Sequence, residues 1–228
     1  MRLLIVGHGR MGKLIESLAS AQGFEIVGVF DIDNNPDGKG LADSPPADVA
    51  IEFATPSATI QNLPLYAQRG INAVVGTTGW QKQESQLRRI VAEAPVGVVV
   101  SSNFSLGANL FQSIIEHAAR QFAQQADYGA WMYEAHHVAK KDAPSGTALT
   151  LKAAMEMAGY RRRIDVSSTR AGSIPGTHTV GFDGPFDAVT LTHTNRDRAA
   201  FALGALEAAR WVMGKRGWFT MKDVLGLE

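Results

Sequence analysis

The chain is predicted to be α/β, a doubly wound parallel sheet followed by a second, smaller α+β domain with a mixed sheet. Three observations predict it. Short apolar runs alternate with helical spacing through residues 1–105. A glycine-rich turn, Gly7-His8-Gly9-Arg10-Met11-Gly12, joins the first run to the first helix. After Asn103 the rhythm changes to a long helix and then to strands of alternating, hairpin-like pattern.

The elements follow in order. Leu3 to Val6 is a strand, and Met11 to Ala21 a helix with Met11, Leu14, Ile15 and Leu18 on one face. Glu25 to Asp31 is the second strand, closed by the turn residues 34–38 and the loop Ser44-Pro45-Pro46. Asp48 to Ala54 is the third. A helix over Ser57 to Gln68 contains Pro64, which should kink or break it. Ile71 to Gly76 and Val96 to Ser101 are strands flanking a charged amphipathic helix, Gln81 to Ala94. The run Val96-Gly97-Val98-Val99-Val100 has the continuous aliphatic character of a strand buried on both faces. Leu106 to Gln125 is a long helix with Leu110, Ile114, Ile115, Ala118 and Phe122 to one side. A strand from Tyr128 to Glu134, a polar segment His136 to Asp142, and a helix to about Met157 come next. Strands at Thr177 to Phe182 and Ala188 to Thr194 precede a final helix, Arg198 to Met213, expected to return to the first domain. The expected domains are therefore 1–105 with 196–228, and 106–195.

Composition narrows the partners. Lys plus Arg and Asp plus Glu number 22 each, which argues against nucleic acid or an anionic membrane as the main partner. The absence of cysteine excludes disulfides, thiolate catalysis and cysteine-bound metal. The apolar start at Arg2 to Val6 is too short for a signal segment and is broken by glycine. No apolar run approaches the ~20 residues that span a bilayer. A cytoplasmic protein is the expectation.

The glycine turn has the G-x-G-x-x-G form of a Rossmann-type dinucleotide site. The first glycine permits the tight turn, the second admits a pyrophosphate, and the third lets helix and strand pack closely. The helix start offers free N–H groups and partial positive charge to phosphate. Asp31, at the end of the second strand, is placed to bind ribose hydroxyls. An ordinary βα turn and a solvated carboxylate would use the same residues. With Asp31 and Asp33 close together and Ile32 where a basic residue would help, the 2′-phosphate of NADPH meets repulsion, partly offset by Arg10 and Lys13. NADH is expected to be preferred, or both cofactors accepted.

The segment Glu134 to Ala148 holds a second constellation: His136, His137, Lys140 and Lys141, then Pro144-Ser145-Gly146-Thr147 at a helix start. Ser145 and Thr147 suit capping, and Gly146 leaves amides open to a carboxylate. Histidine and lysine supply proton transfer near neutrality. A substrate with carboxylates and a reducible carbon beside nitrogen would suit them; solvated loop residues and a plain helix cap are the bland alternatives. A metal at His136 and His137 is disfavoured, because neighbours on a strand point to opposite faces.

This segment resembles the signature of the dihydrodipicolinate reductase family, E-x-H-H-x-x-K-x-D-A-P-S-G-T-A, with every fixed position present. Gly76-Thr77-Thr78-Gly79 and Ser101-Ser102-Asn103-Phe104-Ser105 resemble its nicotinamide-side loops. Arg170-Ala171-Gly172 with Pro175-Gly176-Thr177-His178 resembles its substrate-domain loop, and His193, Asp197-Arg198, Phe201 and Gly204-Ala205 the segment that re-enters the first domain. The resemblance implies reduction of 4-hydroxy-tetrahydrodipicolinate to tetrahydrodipicolinate with NADH or NADPH and loss of water, in lysine and diaminopimelate synthesis. It implies that His136 donates or accepts a proton, that Lys140 donates one, and that His137, Ser145, Gly146 and Thr147 contact substrate. It implies cofactor binding by Gly7, His8, Gly9, Arg10, Met11, Gly12 and Asp31, and by Gly76, Thr77, Thr78, Ser101, Ser102, Asn103 and Phe104. It implies a homotetramer built through the second domain. Three departures stand out: residues 32–47 form a shorter stretch than the family's, the residue after Asp31, Ile32, is not basic, and Ser101-Ser102 replaces an alanine pair. A different nicotinamide dehydrogenase would share the first constellation but not the second; a non-catalytic dinucleotide sensor would dispense with proton-transfer groups.

Overall fold

The computed structural model describes residues 1–227, apart from the side chain of Asp37. The chain separates into two compact units, one made of Met1–Leu106 with the stretch from Arg198 onward, the other of Gly107–Asp197.

The first unit opens as β1 (Arg2–Val6), α1 (Arg10–Ala19), β2 (Glu25–Phe30), a short α2 (Lys39–Ala42), β3 (Val49–Glu52), α3 (Pro56–Arg69), β4 (Asn72–Val75), α4 (Glu84–Ala92) and β5 (Gly97–Val100). The chain then runs through α5 (Leu106–Phe122), β6 (Gly129–His136), α6 (Gly146–Met157), β7 (Ile164–Arg170), β8 (Gly176–Asp183) and β9 (Ala188–Asn195). It returns to the first unit as α7 (Ala199–Trp211), β10 (Gly217–Phe219) and α8 (Met221–Leu225).

The first sheet is wholly parallel, in the order β10-β5-β4-β3-β1-β2. Strand residues alternate between its two faces, as the pleat requires. Leu3, Ile5, Val49 and Ile51 pack with α1 and α7, while Leu4, Val6, Ala50 and Val75 pack with α3 and α4. The chain leaves β1 toward β2 on one side and has β3 on the other, so the order reverses at β1/β3. In open α/β sheets such a reversal opens a crevice beyond the carboxyl ends of the strands. Here those ends carry Gly7 and Phe53.

The second unit is a four-stranded mixed sheet, order β7-β6-β8-β9. Met132, Val180 and Phe182 of the sheet pack against Phe111, Ile115 and Ala119 of α5 and Leu151 and Met155 of α6. Phe122 stacks on Phe182 with ring centres 4.4 Å apart. Among the described residues no helix is long and apolar enough to cross a membrane.

Several expectations need correction. The second sheet is mixed, as expected, and the strands expected there are antiparallel, but its parallel member was not anticipated: β7 pairs with β6 in parallel. Its sequence, Ile164-Asp165-Val166-Ser167-Ser168-Thr169-Arg170, is mostly polar because it is an edge strand. On α5 the buried stripe is Phe111, Ile115 and Ala119, whereas Leu110 and Ile114 are 43% and 52% exposed. The expected face therefore holds for Ile115, Ala118 and Phe122, which pack in the core, and fails for Leu110 and Ile114. α3 continues through Pro64 without interruption, held by its buried Asn62, Leu63, Tyr66 and Ala67. β10 and α8 follow the helix expected to be last; β10 has only three residues and is fixed by pairing with β5.

Candidate active site

In the first unit each glycine of the turn has a distinct task. Gly7 adopts φ +93°, and a Cβ there would sit 2.2 Å from the Phe53 carbonyl oxygen. A Cβ on Gly12 would lie 2.1 Å from the Gly7 carbonyl oxygen, so this residue seals α1 against the turn. Gly9 has nothing within 4 Å of its missing Cβ, and it stands at the N-cap of α1 with no side-chain cap. Backbone amides there remain open to an anion.

A cavity of about 640 Å³ lies at this crevice, lined among others by Gly7, His8, Gly9, Asp31, Ile32, Phe53, Thr55 and Asn62. Asp31 Oδ1 accepts from the amides of Asp33 (2.9 Å) and Asn34 (3.3 Å), which fixes the carboxylate at the end of β2. Ile32 is 81% exposed beside it. His8 Nε2 meets Glu16 Oε2 at 2.7 Å. Arg10, Met11 and Gly12 do not line the cavity; Arg10 is exposed and Gly12 buried. The volume, the carboxylate and the Cβ-free cradle fit the adenosine and pyrophosphate part of a dinucleotide.

The loops after β4 and β5 are ordered by their own polar groups. Gly76 leaves room for the Phe53 ring, which a Cβ would strike at 2.1 Å. Thr77 is buried; its Oγ1 accepts from the Ala54 amide at 2.9 Å and its carbonyl accepts from Trp80 Nε1 at 2.7 Å. Thr78 and Ser102 are exposed. Ser101 Oγ donates to the Asn103 carbonyl (2.7 Å) and accepts from its amide (3.1 Å), while Asn103 Oδ1 accepts from the Ser105 amide (2.9 Å). The Phe104 ring is 1% exposed and edge-on to Phe53 at 5.9 Å, so it belongs to the core and leaves only its backbone for a ligand.

In the second unit, β6 and the loop after it assemble the other constellation. Glu134 is fully buried at the centre. Arg170 of β7 grips it with both guanidinium nitrogens, at 2.6 and 3.0 Å, and also donates to the Asp142 carbonyl at 2.6 Å. His136 Nδ1 lies 2.5 Å from Glu134 Oε2, and the Ser145 amide donates to Oε1 at 3.3 Å. Burial pushes the Glu134 carboxyl up, but hydrogen bonds from Arg170, Ser168 and His136 outweigh it and hold the group at about 2. An ionised carboxylate accepts only, so His136 donates from Nδ1 and presents Nε2 as its free nitrogen. Burial lowers the His136 pKa, with Glu134 opposing. A Cβ on Gly176 would reach His136 Nε2 at 3.1 Å, so glycine keeps that nitrogen accessible.

His178 is the nearby partner that sequence reasoning left without a role. Its ring stands edge-on to His136 at 5.2 Å, and its Nε2 is 2.9 Å from Ser145 Oγ. Burial, then the His136 charge, brings its pKa down to about 4, so it is neutral at pH 7. Ser145 Oγ also accepts from the Ala148 amide at 3.2 Å, making it the N-cap of α6. Its side chain is buried and committed to this framework. Glu134, His136 and His178 bring ligand-type atoms within 4.8 Å of one another. Both Glu134 oxygens are already held by a guanidinium, an arrangement unfavourable to a cation.

Lys140 reaches Asp142 with Nζ–Oδ distances of 2.8 and 2.9 Å, and Asp142 Oδ2 also accepts from the Gly146 amide at 3.3 Å. One carboxylate thus spans an ammonium and the start of α6. His137 is exposed and Thr147 half-buried in the first turn of α6. The structure therefore gathers His136, Lys140, Ser145 and Gly146 around Glu134, Asp142 and Arg170. Glu134 was visible as the first letter of the signature and Arg170 and His178 in a quoted loop, but nothing in their spacing revealed the shared network.

The same two-part arrangement recurs in known proteins. Residues 1–104 match the model described as dihydrodipicolinate reductase, N-terminus, and residues 107–225 the model for its C-terminus. A 4-hydroxy-tetrahydrodipicolinate reductase of Christiangramia forsetii is 36% identical over 99% of this chain and 98% of its own. That of Methanospirillum hungatei is 38% identical over the whole of both chains. The dipicolinate-bound dihydrodipicolinate reductase structure from Paenisporosarcina sp. TG-14 shares the fold, with a TM-score of 0.83 at 22% identity over 96% of this chain and 97% of that one. Matched from end to end, with both constellations in place, the chain belongs to the dihydrodipicolinate reductase family, a family of oxidoreductases.

Proposed function

We propose that this chain reduces 4-hydroxy-tetrahydrodipicolinate to tetrahydrodipicolinate, with loss of water, in lysine and diaminopimelate synthesis. The first unit holds a nicotinamide dinucleotide and the second the dicarboxylate substrate. Bound nicotinamide supplies the hydride. Gly9 amides and the α1 start receive pyrophosphate, Asp31 takes the ribose hydroxyls, and the loops 76–78 and 101–104 serve the nicotinamide side. The observation that carries the reading is the Glu134–Arg170 pair, which orients His136 beside Lys140 and the open start of α6.

A substrate carboxylate binds between Lys140 Nζ and the Gly146 and Thr147 amides, a reading supported by Asp142, whose carboxylate meets Lys140 Nζ and the Gly146 amide. Lys140 then donates the proton, and His136 exchanges one through Nε2 while Glu134 keeps its ring oriented. His137 contacts substrate from the loop. The relative bound to dipicolinate supports a dicarboxylate of this kind. NADH is preferred or shared with NADPH, because the fixed Asp31 carboxylate repels a 2′-phosphate and exposed Ile32 offers no positive charge to receive it. The working form is a homotetramer in the cytoplasm.

Mixing the protein with NADH and substrate made in situ from pyruvate and aspartate semialdehyde tests the reaction through loss of NADH absorbance. Turnover is expected; binding without consumption would make the chain a sensor instead. A kcat/KM about tenfold or more in favour of NADPH, some 1.4 kcal/mol, would contradict the cofactor reading.

A further inference from the structure

One buried acid has no part in the chemistry above. Glu52 ends β3 and is completely shielded from solvent. Its neighbours in the sheet are Val6 and Val75, both apolar. Three side chains of α3 reach it: Thr59 Oγ1 to Oε1, with Asn62 Nδ2 at 3.0 Å and Tyr66 Oη at 2.6 Å to Oε2. All three are uncharged. Arg69, further along α3, is turned instead to Ser44 and the Leu41 carbonyl. A carboxylate in such surroundings takes up a proton rather than remain charged without a counter-ion.

Counting protons agrees. Thr59 Oγ1 contacts both Glu52 Oε1 and the Thr55 carbonyl, the latter at 3.2 Å, yet it owns one hydrogen. An ionised Glu52 would use that hydrogen and leave the second contact unmade. A neutral acid donates from Oε1 to Thr59, which passes its own hydrogen to Thr55, while Oε2 accepts from Asn62 and Tyr66. Burial also raises the carboxyl pKa, and Tyr66, its one titratable partner among the described residues, is pushed well above its own ordinary value.

The network continues to the cavity wall. Asn62 Oδ1 accepts from Asn35 Nδ2 at 3.3 Å, and Asn35 Oδ1 accepts from the Leu41 amide at 2.8 Å. Asn35, Thr55 and Asn62 all line the 640 Å³ cavity. We propose that Glu52 is a positioning residue for dinucleotide binding, a neutral carboxylic acid that sets the cavity wall formed by Asn35, Thr55 and Asn62. The inference rests on the reading of this cavity as the adenosine side of the cofactor site.

Two measurements on the full chain test it. The first is denaturant unfolding across pH without ligand. A group neutral when folded and ionised near 4.5 when unfolded binds the extra proton in the native state, so its contribution to stability falls as pH rises above 4.5. Glu52→Gln copies the neutral acid and lacks that fall. Its midpoint is expected to gain steadily on wild type as pH increases; a constant difference overturns the neutral state. The second is steady-state kinetics with NADH. Glu52→Leu strips Asn62 and Tyr66 of their acceptor and Thr59 of its donor, and is expected to raise KM for NADH about tenfold with kcat within about twofold, while Glu52→Gln restores KM. Should the leucine variant fail to fold, Glu52→Asp withdraws the carboxyl by one methylene and should raise KM about threefold. Unchanged KM in the folded variant overturns the positioning role. A wild type that binds no NADH overturns the cofactor reading itself, an outcome distinct from variants that bind as wild type does.

Discussion

Among single residues, Lys140 and His136 differ in how they are held. Lys140 is tied to Asp142, a partner that a substrate carboxylate can replace. His136 is tied to a buried carboxylate that is itself pinned by Arg170, so its orientation is part of the fold. Replacing Lys140 by alanine is expected to lower kcat by ~10²–10⁴-fold, the usual range for a lost general acid, with the Kd for NADH unchanged. Fluorescence titration and turnover on the same preparation check both halves of that statement. Legibility also divides here. His136 and Lys140 stood out as fixed positions of the signature that the Glu134–Ala148 segment resembles; Glu134, Arg170 and His178 come from β6, β7 and β8, and only the pairing of those strands makes them neighbours.

Elements show the same division. The strands β1 to β5 were legible because strands covered on both faces are nearly continuous in aliphatic residues. The glycine turn was legible too, and its three positions make separable predictions. Gly12→Ala drives a Cβ into the Gly7 carbonyl and should destabilise the chain by about 2 kcal/mol or more, as overpacking does. Gly9→Ala meets open space and should leave stability within about 0.5 kcal/mol, as at most unencumbered surface sites, while weakening NADH binding by crowding the phosphate. Thermal unfolding and NADH titration of the two variants should therefore rank them in opposite senses for stability and for specific loss of binding. The face of α5 was legible only in part: Ile115, Ala118 and Phe122 pack in the core as expected, but Leu110 and Ile114 offer an apolar stripe next to the one that Phe111, Ile115 and Ala119 bury. Which stripe turns inward is decided by the sheet that receives it.

For the molecule as a whole, pH acts through buried groups of opposite sense. The folded value of Glu134, about 2, lies below its ordinary 4.5, so its contribution to stability is complete above 4.5 and is lost as pH falls toward 2. Glu52, raised rather than lowered, is protonated in both states below 4.5 and adds no slope there. Urea midpoints should therefore drop between pH 4.5 and 2, and Glu134→Gln should flatten that part of the curve. Sedimentation at micromolar concentration should give four chain masses if the homotetramer reading holds; a single chain mass at all concentrations would reject it.

What sequence alone determined is whatever a short stretch of chain can encode: the α/β class, the glycine turn with Asp31, and the Glu134–Ala148 signature that marks the family. Local chemistry suffices for these, since turn geometry, strand patterning and capping depend on residues a few positions apart. The tertiary structure decided the parallel place of β7, the buried stripe of α5, the addition of β10, and the carboxylate networks around Glu134 and Glu52. Each depends on a surface or partner supplied by another element, and a buried polar group or a three-residue strand is stable only once that partner is in place.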